Sequence, residues 1–417
     1  MRTPSMARMP AELARASRWI AERLAAAGHR AWLVGGAVRD LALEREPKDA
    51  DLASAALPEE IERLFPRTHA VGRAFGTVVV PCEGVDVQVT TFRAESGYAD
   101  ARRPSAVRFS TRPEEDAARR DFTCNALYLD PLTDELLDPT GGLADLAAGR
   151  LRCVGEAGAR FAEDGLRLLR LARLAAHHGL AIEPETLEGA RGSLEALRGV
   201  SPERVLAELV RMAEGPDPAR AVALLLELGA LPALPGLGRL ESGGLTRRVR
   251  AVAGLETGGS ARLLALLFLP GAEWDAALAH AALLELRPAR ALERRVGQVF
   301  QLFAVLEGCL AELATAPRAR WIRLVRAEEF ADALAVHAAW HGERHARERA
   351  ELVARTRRLG PDELWPAPLV TSAELAKAGI PQGPRWGELL RAAEEAQLEG
   401  EFRDAAGARA WLARQVS

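Results

Sequence analysis

Apolar positions recur at helical spacing from Ala11 to Ala27 and stop at Gly28, which predicts a helix with a glycine C-cap. The apolar run from Ala31 to Val34 predicts a short buried strand halted by Gly35-Gly36, with a helix beginning near Ala37. A second short strand is expected to carry Asp49 and Asp51, and Pro58 to start a helix over Glu59 to Phe65. Ala74 to Val80 and Val85 to Arg93 alternate or run β-branched, so they predict two strands of one sheet, joined as a hairpin by Cys82-Glu83-Gly84. The polar stretch Ala94 to Arg112, with Gly97, Pro104 and several arginines, is expected to be a mobile loop.

From about Gly155 the pattern changes. Strand signals almost vanish, and Leu/Ala/Arg/Glu patterns at helical spacing run to the end. They are broken by Gly/Pro clusters near Gly215-Pro216, Pro232 to Gly238, Gly258-Gly259 and Gly360-Pro361. No fixed-period repeat is present, which excludes a solenoid. The fold class expected is α+β: a mixed α/β head of ~150 residues with a small sheet, then an all-helical remainder.

Composition adds boundaries rather than identity. The 417 residues suffice for two or more domains, and 48% hydrophobic with 27% charged content describes a soluble globular chain. A net charge of -3 excludes wholesale coating of a polyanion but allows a local basic cleft. Cys82, Cys124, Cys153 and Cys309 show no CxxC or zinc spacing and fit reduced thiols. Met1 to Pro10 has no apolar leader core, and no run reads as long enough to span a bilayer, so a cytoplasmic protein is expected.

The chemistry concentrates in a few places. Gly35 and Gly36 let a backbone approach a phosphate closely, and Asp49 and Asp51, two apart on a strand, point to one side. Two carboxylates beside a phosphate-binding turn are suited to a pair of Mg²⁺ ions shared with substrate phosphates. Lys48 and Lys377 are the only lysines in an arginine-rich chain, so a lysine kept beside Asp49 answers a specific demand. In Arg119-Arg120-Asp121-Phe122-Thr123-Cys124-Asn125-Ala126, Arg120 suits a triphosphate, and Asp121 and Asn125, one helical turn apart, suit a ribose hydroxyl. Asp138-Pro139-Thr140-Gly141-Gly142 reads as a loop and helix start with the makings of a hinge.

One helix is expected over Phe161 to His178, with Asp164, Arg167, Arg170 and Arg173 recurring every three residues along one side. A plain solvated face accounts for that spacing. A template for a base accounts for it as well: a carboxylate accepts from an amino group, and a guanidinium donates to a ring acceptor. Cytosine and adenine satisfy that pair, whereas uracil and guanine present the reverse pattern, and discrimination of ~10⁴-fold is within reach. Arg170 and Arg173 would then meet phosphates.

Gly35-Gly36-Ala37-Val38-Arg39-Asp40 with Asp49-x-Asp51, Arg119 to Ala126, Asp138-Pro139 with Gly141-Gly142, Glu163-Asp164-x-x-Arg167, and Glu203-Arg204 with Glu208 stand in a telling order. That order resembles the class II tRNA nucleotidyltransferases, the bacterial and eukaryotic CCA-adding enzymes, and their poly(A) polymerase relatives. The resemblance covers roughly the first 215 residues strongly, and the tail from Pro368 to Gly400 also looks like a CCA-adding C-terminus.

The resemblance implies a nucleotidyltransferase head (1–150), a base-recognising neck (151–215), a helical body (216–345) and a tRNA-binding tail (346–417). It implies that Asp49 and Asp51 hold Mg²⁺ and catalyse, and that Gly35, Gly36 and Arg39 contact the incoming CTP or ATP. Arg120 would meet its phosphates and Asp121 and Asn125 its sugar, while Asp164 and Arg167 read the base with Arg170 and Arg173 assisting. The stretch Ala94 to Arg112 would be the element that helps switch from C to A. The implied reaction is attack by an RNA 3′-hydroxyl on the α-phosphate, releasing pyrophosphate, with the tRNA 3′ end as partner. Poly(A) polymerase, CC-adding and A-adding forms, and a degenerate RNA-binding protein remain open.

One position departs from the pattern. Relatives carry a carboxylate five residues before the arginine of Thr90-Thr91-Phe92-Arg93, where this chain has Gln88. Asp86, two residues earlier on the same strand face, is the candidate substitute. His337, His341 and His345 fall four apart but lack a His-Glu-x-x-His pattern, so they read as ordinary helix surface. The arginine-rich stretch 344–358 reads as solvated helix or as contacts to an RNA backbone. No adjacent His-Asp pair occurs, which excludes a fused metal-dependent phosphohydrolase of the His-Asp type.

Overall fold

The computed structural model describes residues 3–69, 76–100, 103–239, 244–255, 259–269, 275–313 and 315–416. The expectations for Ala74-Phe75, for residues 101–102 and for Gly258 lie outside them. Two compact units form, Met1–Gly238 and Arg239–Ser417. The first is α+β; the second, among its described residues, contains helices only.

The first unit begins with α1 (Ala11–Ala26), whose buried Leu13, Ala16, Ile20, Ala21 and Leu24 form the apolar stripe seen in the sequence. Gly28 follows at φ +87, a conformation open to glycine. Six strands make one mixed sheet, from the strands β1 (Ala31–Val34), β2 (Asp51–Ser54), β3 (Thr77–Cys82), β4 (Val85–Thr91), β7 (Tyr128–Leu129) and β8 (Leu136–Leu137). Their order is β3-β4-β2-β1-β7-β8. β1 lies antiparallel to β2 and β7, while β2 lies parallel to β4 with Asp51 opposite Gln88. Val87 and Val89 are buried and alternate with exposed Asp86 and Gln88, the signature of a sheet packed on one face. The β3–β4 turn puts Glu83 and Gly84 both at positive φ, as a two-residue hairpin requires.

Three sequence expectations change. Asp49 precedes β2, whose first residue is Asp51. The stretch expected to be a loop is a two-stranded antiparallel hairpin, β5 (Arg93–Asp100) with β6 (Arg103–Phe109), in one register from Arg93↔Phe109 to Tyr98↔Pro104 and shifted before Asp100↔Arg103. Its composition hid it, because Gly97 and Pro104 are strand-poor and backbone pairing leaves no apolar alternation to read. Third, the helix expected over Phe161 to His178 is two, α6 (Ala157–Glu163) and α7 (Leu166–His178), with Asp164 extended between them.

The remaining elements of this unit are α2 (Gly36–Ala42), α3 (Pro58–Leu64), α4 (Pro113–Ala118), α5 (Gly142–Ala147), β9 (Arg150–Leu151), β10 (Ala181–Ile182), α8 (Pro184–Gly192), α9 (Pro202–Ala213) and α10 (Pro218–Leu228). β9 pairs in parallel with β10, so the chain around position 150 is stitched to the segment that leaves α7. The Asp138 segment is pinned. Its carboxylate caps the Gly142 and Leu143 amides at 2.8 and 3.0 Å, and a Cβ on Gly142 would stand 2.1 Å from the Thr123 carbonyl.

In the second unit, the helix Arg290–Leu313 is long and apolar enough, by length and composition, to cross a bilayer, contrary to the expectation from sequence. Its Val296, Val299, Phe300, Phe303, Leu306, Leu310 and Leu313 are buried in the unit's core. The histidines are not ordinary surface either. His337 is fully buried, and with His341 it converges on Glu307, all three ligand atoms lying within 4.8 Å of one another. Arg349 faces His337 Nδ1 at 3.3 Å; an arginine only donates, so the neutral ring's proton sits on Nε2, 3.1 Å from Glu307. In that arrangement Nε2 forms no hydrogen bond, so this buried ring nitrogen is left without a hydrogen-bond partner among the described residues. Arg349 and Arg355, in the arginine-rich stretch, are bonded to backbone carbonyls of the same unit. The last segment has its own core, around Leu375, Leu389, Ala393, Phe402, Trp411 and Leu412. The four cysteines are free thiols.

Candidate active site

The first unit carries a cleft of about 1130 Å³ at the end of β1. β1 is cut short because Gly35 sits at φ 71 and ψ −131, where a side chain would be strained. A Cβ there would also stand 3.3 Å from Arg120 Nη1. Gly36 then opens α2, which carries Arg39 one turn later.

Asp49 and Asp51 line the cleft beside this turn. Neither carboxylate accepts a hydrogen bond within the described residues. Burial, and then the neighbouring charge of Asp49, push Asp51 up to about 6, with Arg120 opposing. Two close carboxylates short of compensating charge, in a cleft wide enough for ligands, are a donor set that fits a hard divalent cation such as Mg²⁺. Gln88 stands opposite Asp51 and lines the cleft with Thr77 and Thr90. Asp86 shares Gln88's strand face two residues further along, and it is not among the lining residues. Its side chain is exposed at the outer end of β4, so the structure does not bring the candidate substitute to the other two carboxylates.

The opposite wall is a network of arginines already matched to carboxylates. Arg39 Nη1 donates to Asn125 Oδ1 at 2.7 Å and its Nη2 to Asp40 at 2.8 Å. Asn125 Nδ2 donates to Asp121 at 3.0 Å, and Arg170 Nε donates to the other Asp121 oxygen at 2.7 Å. Burial alone would raise Asp121, but Arg170's charge and the hydrogen bonds from Asn125, Arg170 and the Phe122 amide hold it well below the usual carboxylate range. Asp121 and Asn125 do meet, although the backbone between them is a 3-10 turn, Thr123–Asn125, rather than a helical turn. Arg120 is held by Asp116, by the Tyr128 hydroxyl at 3.0 Å and by the Asn125 carbonyl at 3.2 Å.

The base-reading candidates sit at the α6–α7 break. Gly165 is pressed so closely on the chain at Ala196 that a Cβ would stand 2.2 Å from its carbonyl oxygen. α6 ends just before this contact, and the Asp164 carboxylate accepts from the Leu166 amide at 3.1 Å where the new helix begins. Asp164 pairs with Arg204 of α9, at 3.1 and 2.6 Å, rather than with Arg167. Arg167 donates to Glu163 at 2.6 Å, and to the Arg160 and Arg119 carbonyls at 2.7 and 3.1 Å. Arg173 is bound to fully buried Glu208 at 2.6 Å, with Arg211 on the same carboxylate at 2.7 Å.

Gly35, Gly36, Arg39, Asp49, Asp51, Arg120, Asp121, Asn125, Asp164, Arg167, Arg170 and Arg173 thus all line one cleft, and Asp86 does not. Sequence reasoning missed Asp116, whose signal was its spacing of three and four residues before Arg119 and Arg120. It quoted Arg204 and Glu208 without giving them a task. It also missed Arg45, which donates to His178 Nδ1 at 2.9 Å; burial, then Arg39 and Arg45, keep that imidazole neutral.

Residues 31–152 match the Poly A polymerase head domain, and 179–240 match a region described as the probable RNA and SrmB-binding site of polymerase A. A CCA-adding enzyme from Geobacillus sp. (strain WCH70) is 45% identical over 211 residues, 50% of this chain and 52% of the relative. The chain therefore spans about half the length of that relative. A CCA-adding enzyme from Lactobacillus johnsonii (strain CNCM I-12250 / La1 / NCC 533) is 34% identical over 375 residues, 90% of each chain. The chain belongs to the CCA-adding enzyme family. The crystal structure of the Bacillus stearothermophilus CCA-adding enzyme in complex with CTP superposes with a TM-score of 0.75 at 29% identity, covering 97% of this chain and 98% of that one. In this member of the CCA-adding family, the polymerase-head match contains the cleft residues from Gly35 to Asn125. Asp164 to Arg173 fall between the two matched regions.

Proposed function

We propose that this chain adds C, C and A in turn to the 3′ end of tRNA, taking CTP and ATP and releasing pyrophosphate. The observation that carries this is the joining, in one cleft, of an unpartnered carboxylate pair with Asp164 and Arg167, which flank a helix break. Family membership and the CTP bound to the Bacillus stearothermophilus relative support it.

Asp49 and Asp51 hold Mg²⁺, which supplies positive charge against the triphosphate and the attacking oxygen when bound. The rest falls to the chain's own side chains. The Gly35-Gly36 turn lets the nucleotide's phosphates approach the backbone, and Arg120 meets them from the far wall. Asp121 and Asn125 orient the sugar. Asp164 accepts from the N4 or N6 amino group while Arg167 donates to the ring acceptor, and Arg170 and Arg173 keep that wall positive. Gln88 is neutral, so no third carboxylate is required: phosphoryl-type transfer depends chiefly on positioning and charge. By function the chain divides into a catalytic head (1–150), a base-reading neck (151–215), a body (216–345) and a tail that holds tRNA (346–417), working in the cytosol.

Incubating the protein with a tRNA lacking its last three nucleotides, with CTP and ATP, is expected to give a product that stops at CCA. A long A tail would mark a poly(A) polymerase instead. Addition of only CC or only A would mark a specialised form, and RNA binding without extension would mark a degenerate binder.

A further inference from the structure

Asp116 has no task in the transfer itself, yet it is completely buried and is the most heavily used carboxylate near the cleft. One oxygen accepts from Arg119 Nη2 and Nε at 2.6 and 2.8 Å. The other accepts from Arg120 Nη2 and Nε at 3.0 and 3.2 Å and from the Tyr128 hydroxyl at 2.8 Å. The Arg93 amide, at the first residue of β5, reaches the Arg119-bound oxygen at 3.3 Å. Glu115 accepts from Ser110 Oγ at 2.8 Å and from Arg108 Nη2 at 3.0 Å, at the end of the second strand of the β5–β6 hairpin, beside Arg93. The short helix α4 therefore joins both strands of the hairpin to the arginine that faces the Gly35 turn.

The donor count on Arg120 is informative. A guanidinium has five N–H groups. Asp116 and Tyr128 take the one on Nε, Asp116 takes one on Nη2, and the Asn125 carbonyl takes one on Nη1. One N–H on each Nη is left over. These two N–H groups are available to phosphate oxygens.

We propose that Asp116 is the positioning residue of the triphosphate subsite: it grips the Nε–Nη2 edge of Arg120, so that the remaining N–H groups are presented to the β- and γ-phosphates of the incoming nucleotide. This rests on the nucleotidyltransferase reading. Asp116 touches no substrate and acts through Arg120. Tyr128 completes the grip, and the two hairpin strands hold α4 in place.

The test is steady-state kinetics of Asp116→Asn on a trimmed tRNA, with inorganic tripolyphosphate as a competing probe. KM for CTP and the inhibition constant of tripolyphosphate are expected to rise together by roughly ten- to a hundredfold, the worth of a charge-assisted bond. The preference for CTP over UTP and the Kd for tRNA are expected to stay within about twofold of wild type. Tyr128→Phe keeps the carboxylate and is expected to raise both constants by roughly two- to tenfold; it carries the test if Asp116→Asn fails to fold. Unchanged tripolyphosphate inhibition in a folded Asp116→Asn, or in Tyr128→Phe should it stand in, overturns the proposal. So does an equal loss of base selection, which would mark Asp116 as a general structural support. A wild type that incorporates no CMP would overturn the functional reading and this one with it; a wild type that does, beside a variant that matches it, overturns the Asp116 role alone.

Discussion

The two walls of the cleft hold the same kind of group in opposite states. On the glycine side, Asp51 beside Asp49 lacks a hydrogen-bonding partner and is pushed up to about 6. Behind the arginine side, Asp116 is more fully enclosed, yet Arg120 and Arg119 outweigh its burial and hold it at about 2. Asp121, against Arg170, lies lower still. Burial raises a carboxylate on either wall, and what differs is whether the chain supplies the cation. Carboxylates answered by arginine build the site. The pair left unanswered is the one with room for a cation from solution.

Breaking the unanswered pair is expected to have the largest effect. Asp51→Ala should cut CMP incorporation by roughly 10³-fold or more, the several kcal/mol that metal charge contributes to such a transfer, with tRNA binding retained in a filter assay. Persistent incorporation would remove the metal assignment. Next comes Arg167→Ala, expected to lower selection of CTP over UTP by roughly 10²-fold in single-nucleotide incorporation, since a buried donor that rejects the wrong base is lost. Unchanged selection would leave Arg167 as a tether between α6, α7 and the Arg119 carbonyl.

Acidity sharpens the contrast further. Asp51 must be ionised to hold a cation, so activity at limiting Mg²⁺ should fall as pH drops through about 6, and added Mg²⁺ should move that fall to lower pH. Asp116, held at about 2, stays ionised across that range. The smallest effect expected is on stability. Asp51's folded pKa lies above its unfolded value, so its contribution favours folding below about pH 4 and is lost as pH rises through about 6. Asp51→Asn should therefore stabilise the metal-free protein by ~1–3 kcal/mol at pH 7 to 8 and give no gain below pH 4, read by urea unfolding in EDTA.

Most of the first unit was legible because its signals are local. The four buried residues of β1, the glycines after it and the alternation along β4 each state their own structure within a few positions. The β5–β6 hairpin was not legible, because strand pairing and contacts with α4 form it while Gly97 and Pro104 argue against strands. Twelve of the thirteen residues named from sequence line one cleft; Asp86 does not, standing two residues before Gln88, the position opposite Asp51. The partners were harder still. Nothing near Asp164 announces Arg204, forty residues away, and nothing near Arg173 announces Glu208. His337 was misread for the same reason: four-residue spacing looks alike on a surface and in a core, and only packing against Phe303 and Glu307 separates them.

The crowding of Gly165 against the carbonyl of Ala196 bears on how the base preference proposed above can be altered. The place where a base would be inspected is fixed by main chain meeting main chain, which no rotamer change can relieve. The side chains at 164 and 167 also hold Arg204, Glu163 and the Arg160 and Arg119 carbonyls, so exchanging either alters the wall together with the hydrogen-bonding sense. One added methyl group at 165 would move both inspectors at once, so new nucleotide tastes are reachable on either side of that glycine and not through it.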